Sequence, residues 1–98
     1  MEPIYQRLEE VRERPGIYLG EISITRLYAY VSGYLTKEFE LNPGRESSFD
    51  GFNDFICRKY DIPNRNWSSI LLFCGGSEKG GIDRFYRDLD EYKASIDL

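Results

Sequence analysis

The side chains that could do chemistry in this sequence are mostly carboxylates. The chain has 17 aspartate and glutamate residues but no histidine, so the commonest general acid or base of enzymes is missing. Several carboxylates are candidates for a catalytic pair, but their spacings are typical of solvated helix faces. These candidates are Glu9, Glu10, Glu13, Asp50, Asp54, Asp88, Asp90 and Glu91. No loop has the ligand spacing of an EF-hand. The sequence therefore predicts a protein that is not an enzyme and that holds no metal or cofactor.

The two cysteines, Cys57 and Cys74, lie among apolar neighbours in "FIC" and "LLFC". They form no CxxC pair, and no histidine is present to activate either thiol. The pattern predicts two buried, reduced thiols in a cytosolic protein.

Composition limits the class of protein further. The 98 residues are 41% hydrophobic and 15% aromatic, which predicts one folded domain over residues 1–98. The formal net charge of −4 argues against nucleic acid as a partner, because binding to phosphates requires excess positive charge. No apolar run of about 18 residues occurs, and "MEPIYQRLEE" lacks the apolar core of a signal peptide. We therefore expect a cytoplasmic protein that does not bind membranes.

Apolar periodicity predicts an all-α fold, a compact bundle of about five helices around an aromatic-rich core. The predicted helices cover residues 3–13, 24–38, 49–60 and 67–74 and a last segment after Ser77. The predicted N-caps are Ser23, Ser47 or Ser48, Asn66 and Ser77. Two points stay open: residues 67–74 also fit a short strand, and "GIYLG" (16–20) could be extended.

Three kinds of residue raise specific expectations within these helices. Gly33 interrupts the apolar pattern of the second helix, which predicts close packing of another helix over it. Trp67, at the head of an apolar helix, is expected in the core. Tyr5, Tyr30 and Tyr86 lie off the apolar stripes and are expected to contact a partner.

The segment "VRERPGIYLG" (11–20) resembles the opening of the ATPase domain of type II DNA topoisomerases. The rest of the chain lacks the other parts of such a site, since it has no DxGxG and no GxxGxG. "CGGSEKGG" (74–81) is rich in glycine, but it is not a phosphate-binding GxxxxGK[ST] loop. This likeness is coincidental, and Arg14-Pro15-Gly16 is interpreted as a stop and chain reversal.

A second resemblance extends over nearly the whole chain. It combines "RPGIYLG" (14–20), "SITRLYAYVSGYL" (23–35), "FDGFNDFI" (49–56), a tryptophan before an apolar helix, and "GGSEKGGIDRFYRDLDEY" (75–92). This order resembles a small family of bacterial immunity proteins from polymorphic and contact-dependent growth-inhibition toxin systems. The matching residues are Arg14, Pro15, Gly16, Tyr18, Gly20, Ser23, Leu27, Gly33, Tyr34, Phe52, Phe55, Trp67, Ile70, Glu78, Phe85 and Leu89. Gly80-Gly81 departs from the pattern, which places better helix formers there.

The resemblance implies stoichiometric inhibition of a cognate toxin domain, expected to be a nuclease with a basic substrate groove. An acidic protein can occupy such a groove with carboxylates in place of phosphates. The first expected contact surface is Glu38, Glu40, Glu46, Asp50 and Asp54, and the second is Asp83, Asp88, Asp90 and Glu91. Two other functions stay open: a helical regulatory or adaptor module for another cytosolic protein, and a small enzyme or ligand carrier.

Overall fold

Residues 2–98 are described by a computed structural model, and over this range the chain forms α-helices and no strand. The helices are α1 (Pro3–Glu13), α2 (Pro15–Leu19), α3 (Ile24–Leu41), α4 (Phe52–Tyr60), α5 (Trp67–Gly75) and α6 (Glu78–Ser95). A 3-10 turn, Ser48–Gly51, leads into α4. The all-α prediction is therefore confirmed, and the strand alternative for residues 67–74 is wrong.

The N-terminal helices show how proline separates two helices. The bounds of α1 are those predicted, and its buried stripe is Ile4, Leu8 and Val11 with Tyr5 beside it. Arg14 leaves the helical region (φ −138°, ψ 61°), as the residue before a proline tends to do. Pro15 then begins the short helix α2, because its fixed φ suits a first helical position. "GIYLG" is thus helical rather than extended, and it ends at Gly20 with φ 82°.

Side-chain caps begin the longer helices at the predicted residues. Ser23 accepts a hydrogen bond from the backbone N–H of Arg26 at the start of α3, and Asn66 and Ser77 do the same for α5 and α6. Of the two serines considered before α4, Ser47 is the cap, and it forms a capping box with Asp50 at the 3-10 turn. α3 continues three residues beyond the predicted end, to Leu41.

An aromatic cluster lies at the centre of the core. The ring of Phe52 from α4 is 5.7 Å from Trp67, 5.4 Å from Phe85 and 5.4 Å from Tyr92, measured between centroids. Each of these contacts is edge-to-face, the favourable geometry for aromatic pairs. Trp67 is buried, as expected, so α4, α5 and α6 are held together by rings from all three.

Glycines allow α5, α6 and the start of α3 to approach closely. A Cβ atom on Gly80 would lie 2.1 Å from the carbonyl oxygen of Gly75, and one on Gly81 would lie 2.7 Å from the side chain of Ile24. Gly80 and Gly81 lie inside α6, whose first turn therefore forms despite their low helix propensity. The helix formers expected at these positions would not fit.

Gly33 has the opposite environment. It is exposed on α3, and a Cβ atom there would meet no other atom within 4 Å. The prediction that another helix packs over Gly33 is therefore wrong.

Replacing glycine by alanine is therefore expected to have opposite effects on stability at Gly80 and at Gly33. Gly80→Ala is expected to lower the free energy of unfolding by about 1–3 kcal/mol, because the methyl group meets backbone atoms that cannot rotate away. Gly33→Ala is expected to raise it by about 0.5–1 kcal/mol, because alanine is the better helix former and the site has space. Urea unfolding measures both, and shifts of the same sign in the two variants would contradict the packing described.

Candidate functional site

The five carboxylates of the first expected surface lie on neighbouring elements. Glu38 and Glu40 are near the end of α3, Glu46 is in the following loop, Asp50 is in the 3-10 turn and Asp54 is in α4. Glu38 is half-buried and the other four are exposed. Glu38, Glu46 and Asp50 line a single depression of about 90 Å³, here called the acidic depression. Glu40 and Asp54 do not line it.

The carboxylates of this surface are not neutralised within the molecule. Among residues 2–98, no lysine or arginine side chain lies within ion-pair distance of Glu38, Glu40, Glu46, Asp50 or Asp54. Asp50 does accept a hydrogen bond from the backbone N–H of Ser47 as part of the capping box. Glu2 and Arg45 also line the acidic depression, so its charge is negative overall.

Hydrogen bonds hold the Glu2 carboxylate at the edge of the acidic depression. Partial burial acts to raise the pKa of Glu2, but hydrogen bonds from Ser48 and Ser47 outweigh it, and the pKa lies below its ordinary value. This carboxylate is therefore negative at neutral pH and adds to the field of Glu38, Glu46 and Asp50.

Two exposed apolar side chains accompany these charges. Phe39 is 62% exposed and lines the acidic depression, and Leu41 is 65% exposed at the end of α3. Neither was considered in the sequence analysis. Because Phe39 falls outside the apolar stripe of α3, the signal available in the sequence was an aromatic residue on the polar side of a helix.

The second expected surface differs because its carboxylates already have partners. Asp83 pairs with Lys79 at 3.1 Å, Asp90 with Arg12 at 3.1 Å, and Glu91 with Lys59 at 2.5 Å. Asp83, Asp90 and Glu91 are exposed but locally neutralised, and binding through them would first require these pairs to open.

Asp88 does not lie on the surface at all. Its side chain is fully buried, accepts a hydrogen bond from the Tyr60 hydroxyl at 2.5 Å, and pairs with Lys59 at 2.7 Å. Its place among the expected contact residues is therefore corrected. The helical spacing of Asp88 suggested a wet face, but α4 covers that part of α6 and supplies the partners.

The tyrosines expected to contact a partner are mostly inside the protein. Tyr5 and Tyr86 are buried, and their hydroxyls bond to Ser48 and to the carbonyl oxygen of Leu8, each at 2.8 Å. Burial raises the pKa of both. Tyr30 is half-buried and accepts a hydrogen bond from Arg7 at 2.8 Å. The prediction for Tyr5 and Tyr86 is wrong, because aromatic residues flanking a stripe also fill a small core.

Cys57 and Cys74 are free thiols, half-buried rather than fully buried as expected. In the part of the chain that the structure describes, no three or more Asp, Glu or Cys side chains are grouped to hold a metal ion.

Glu78, one of the residues in the immunity-family pattern, connects the starts of two helices. Its carboxylate accepts hydrogen bonds from the Ser23 hydroxyl at 2.7 Å and from the Thr25 backbone N–H and hydroxyl at 2.9 Å each. The Thr25 N–H is one of the donors that the first turn of α3 leaves unpaired. These bonds, the backbone one above all, hold the pKa of Glu78 below its ordinary value.

Stability is therefore expected to fall in acid partly through Glu78. The pKa of Glu78 is lower in the folded protein than in the unfolded chain. The ionised carboxylate therefore stabilises the fold at pH values above the ordinary pKa of a glutamate, and this stabilisation is lost as the pH falls through the folded pKa. Glu78→Gln should unfold at lower urea concentration than the natural protein at neutral pH, and the difference between the two midpoints should shrink as the pH falls below the ordinary pKa of a glutamate. A midpoint difference that is constant over this range would contradict the assigned contacts.

Comparison with models of known protein families, with curated proteins and with solved structures finds no match to this chain. Across residues 2–98, no helix has the length and apolar character needed to cross a bilayer.

Proposed function

We propose that this protein is an immunity protein, which binds a cognate toxin domain in the cytoplasm and inhibits it by covering its active site or substrate groove. The observation that carries the proposal is the set of unpaired carboxylates Glu38, Glu46 and Asp50 around the exposed Phe39. The resemblance of the sequence pattern to immunity proteins supports the same conclusion.

The proposed mechanism is substitution of carboxylates for phosphates. A nuclease domain positions phosphate oxygens with arginine and lysine side chains, and a carboxylate can accept the same charge-assisted hydrogen bonds. The carboxylates of the first surface have no cationic partner within residues 2–98, so no internal pair has to break when they bind. Phe39 adds exposed apolar area beside these carboxylates, and aromatic residues are enriched in protein interfaces.

A helical adaptor module is the second candidate, and Phe73 favours it. Phe73 is 81% exposed on α5 and does not line the acidic depression. The apolar run of α5 is thus not wholly core, and an exposed phenylalanine on a second surface suits a partner that binds through apolar contact. An adaptor would bind through Phe73 and would tolerate changes at Glu46.

The proposal predicts that a toxin gene lies beside the gene for this protein, and co-expression with that toxin domain tests it. We expect a one-to-one complex, and we expect purified protein at equimolar amount to stop nuclease activity. The variants Glu46→Lys and Phe73→Ser separate the candidates, since only the first should weaken inhibition if the acidic depression is the site. A toxin that stays active in excess of this protein would refute the immunity function.

A further inference from the structure

A second cleft continues the acidic depression along α3. The cleft has a volume of about 450 Å³, and it shares Leu35 and Asp50 with the depression. The two spaces are therefore adjacent, and together they are here called the α3 groove, with α3 along one side and the 3-10 turn along the other.

The two ends of the α3 groove differ in chemistry. Glu38 and Glu46 line the narrow end, whose volume suits the head group of a cationic side chain. The wide end has space for a bulky apolar side chain beside the half-buried ring of Tyr28, where the buried rings of Phe49 and Trp67 also reach the cleft. The rest of its lining is mostly polar and includes Arg65. The narrow end is negative overall, whereas Arg65 and the ring of Tyr28 lie at the wide end, so a segment with one cation has one favourable direction.

The wall at the wide end is fixed by hydrogen bonds. The Asn53 side chain accepts from the backbone N–H of Trp67 at 2.6 Å and donates to the carbonyl oxygen of Arg65 at 3.1 Å. Tyr28 packs edge-to-face on Trp67 with centroids 5.0 Å apart. A site held in this way loses little conformational entropy when a partner binds.

We propose that the α3 groove binds a single basic segment of the partner protein in one direction, with an arginine or lysine at Glu38 and Glu46 and a bulky apolar residue over Tyr28. This inference rests on the proposed function for the basic character of the partner. Tyr28 and Glu38 are 10 positions apart on α3, which corresponds to about 15 Å along a helix axis. An extended segment covers that distance in about five residues. The cation and the apolar anchor should therefore be about five residues apart in an extended segment.

Selection from a random peptide library on the purified protein tests the inference directly. Enriched peptides should carry a lysine or arginine at about that separation from a bulky apolar residue. In NMR titrations with the best peptide, the amide signals of Ser32, Leu35 and Asn53 should shift. Enrichment without a cationic residue, no enrichment, or shifts confined to Phe73 and its neighbours would overturn the proposal.

A pair of tryptophan variants separates this inference from the proposed function. Ser32→Trp fills the α3 groove from an exposed position, and Ala94→Trp adds the same ring at an exposed position of α6 that lines neither space. We expect the first variant to weaken peptide and toxin binding at least ~10-fold and the second to change neither. Toxin inhibition that survives Ser32→Trp would overturn the groove but not the immunity function. If the protein binds the peptide but does not inhibit the toxin, the immunity function is overturned and the groove is not.

Discussion

The variant Glu46→Lys is expected to associate with the toxin domain about tenfold more slowly at low ionic strength, and the double variant with Glu38→Lys about a hundredfold more slowly. Both side chains line the acidic depression and neither has a cationic partner within residues 2–98, so each reversal changes the field that faces a basic partner. Glu46 lies in a loop, so its replacement removes no cap and no helix contact.

Stopped-flow measurement with a catalytically inactive toxin domain gives the rate, and Glu13→Lys is the matched control. Glu13 is exposed at the end of α1, has no ion pair in the described chain, and undergoes the same change of charge. The difference between Glu46→Lys and the natural protein should shrink as salt shortens the screening length from about 10 Å at 0.1 M to about 3 Å at 1 M. If Glu13→Lys is as slow as Glu46→Lys, net charge alone governs association and the acidic depression is not the contact surface.

Local signals in the sequence predicted the helices well. Ser23 and Asn66 stand directly before apolar residues, Ser77 stands five residues before the apolar pattern of α6, and each caps a helix at the predicted residue. The sequence predicts a stop and chain reversal at Arg14-Pro15-Gly16 rather than the short helix α2, because five residues are too few to show a helical period. The proline at its first position was the available signal, and it marks a helix start as readily as a stop.

Whether each carboxylate is free, paired or buried could not be predicted from local signals. The hydrogen-bond partners of Asp88 lie 28 and 29 residues away, and Ser23 lies 55 residues from Glu78. Whether a charge is free, paired or buried depends on which faces of two helices meet, and helical period alone does not fix that choice. Gly33 and Gly80 show the same limit, since both are poor helix formers inside a predicted helix and only the packed structure distinguishes the open site from the tight one.

The largest expected loss of stability follows from removing the buried carboxylate of Asp88. Asp88→Ala should lower the free energy of unfolding by about 3 kcal/mol, because it leaves the Lys59 ammonium and the Tyr60 hydroxyl without their shared acceptor. Burial acts to lower the pKa of Lys59, but the hydrogen bonds to Asp88 and Glu91 outweigh it and raise the pKa. The Lys59 side chain is 28% exposed and water reaches it, so the expected loss lies at the low end of the range for broken buried pairs.

Asp83→Ala makes the same change on the same helix, where the carboxylate is exposed and pairs only with Lys79 one turn earlier. Its expected effect is below about 0.5 kcal/mol, and the gain in helix propensity is common to both variants. Urea unfolding compares them, and equal losses would contradict the buried network. Since Asp88 lies beneath the surface, the folded fraction of Asp88→Ala should still bind the toxin domain at the natural rate. A binding defect in that folded fraction would instead mean that α6 takes part in the contact.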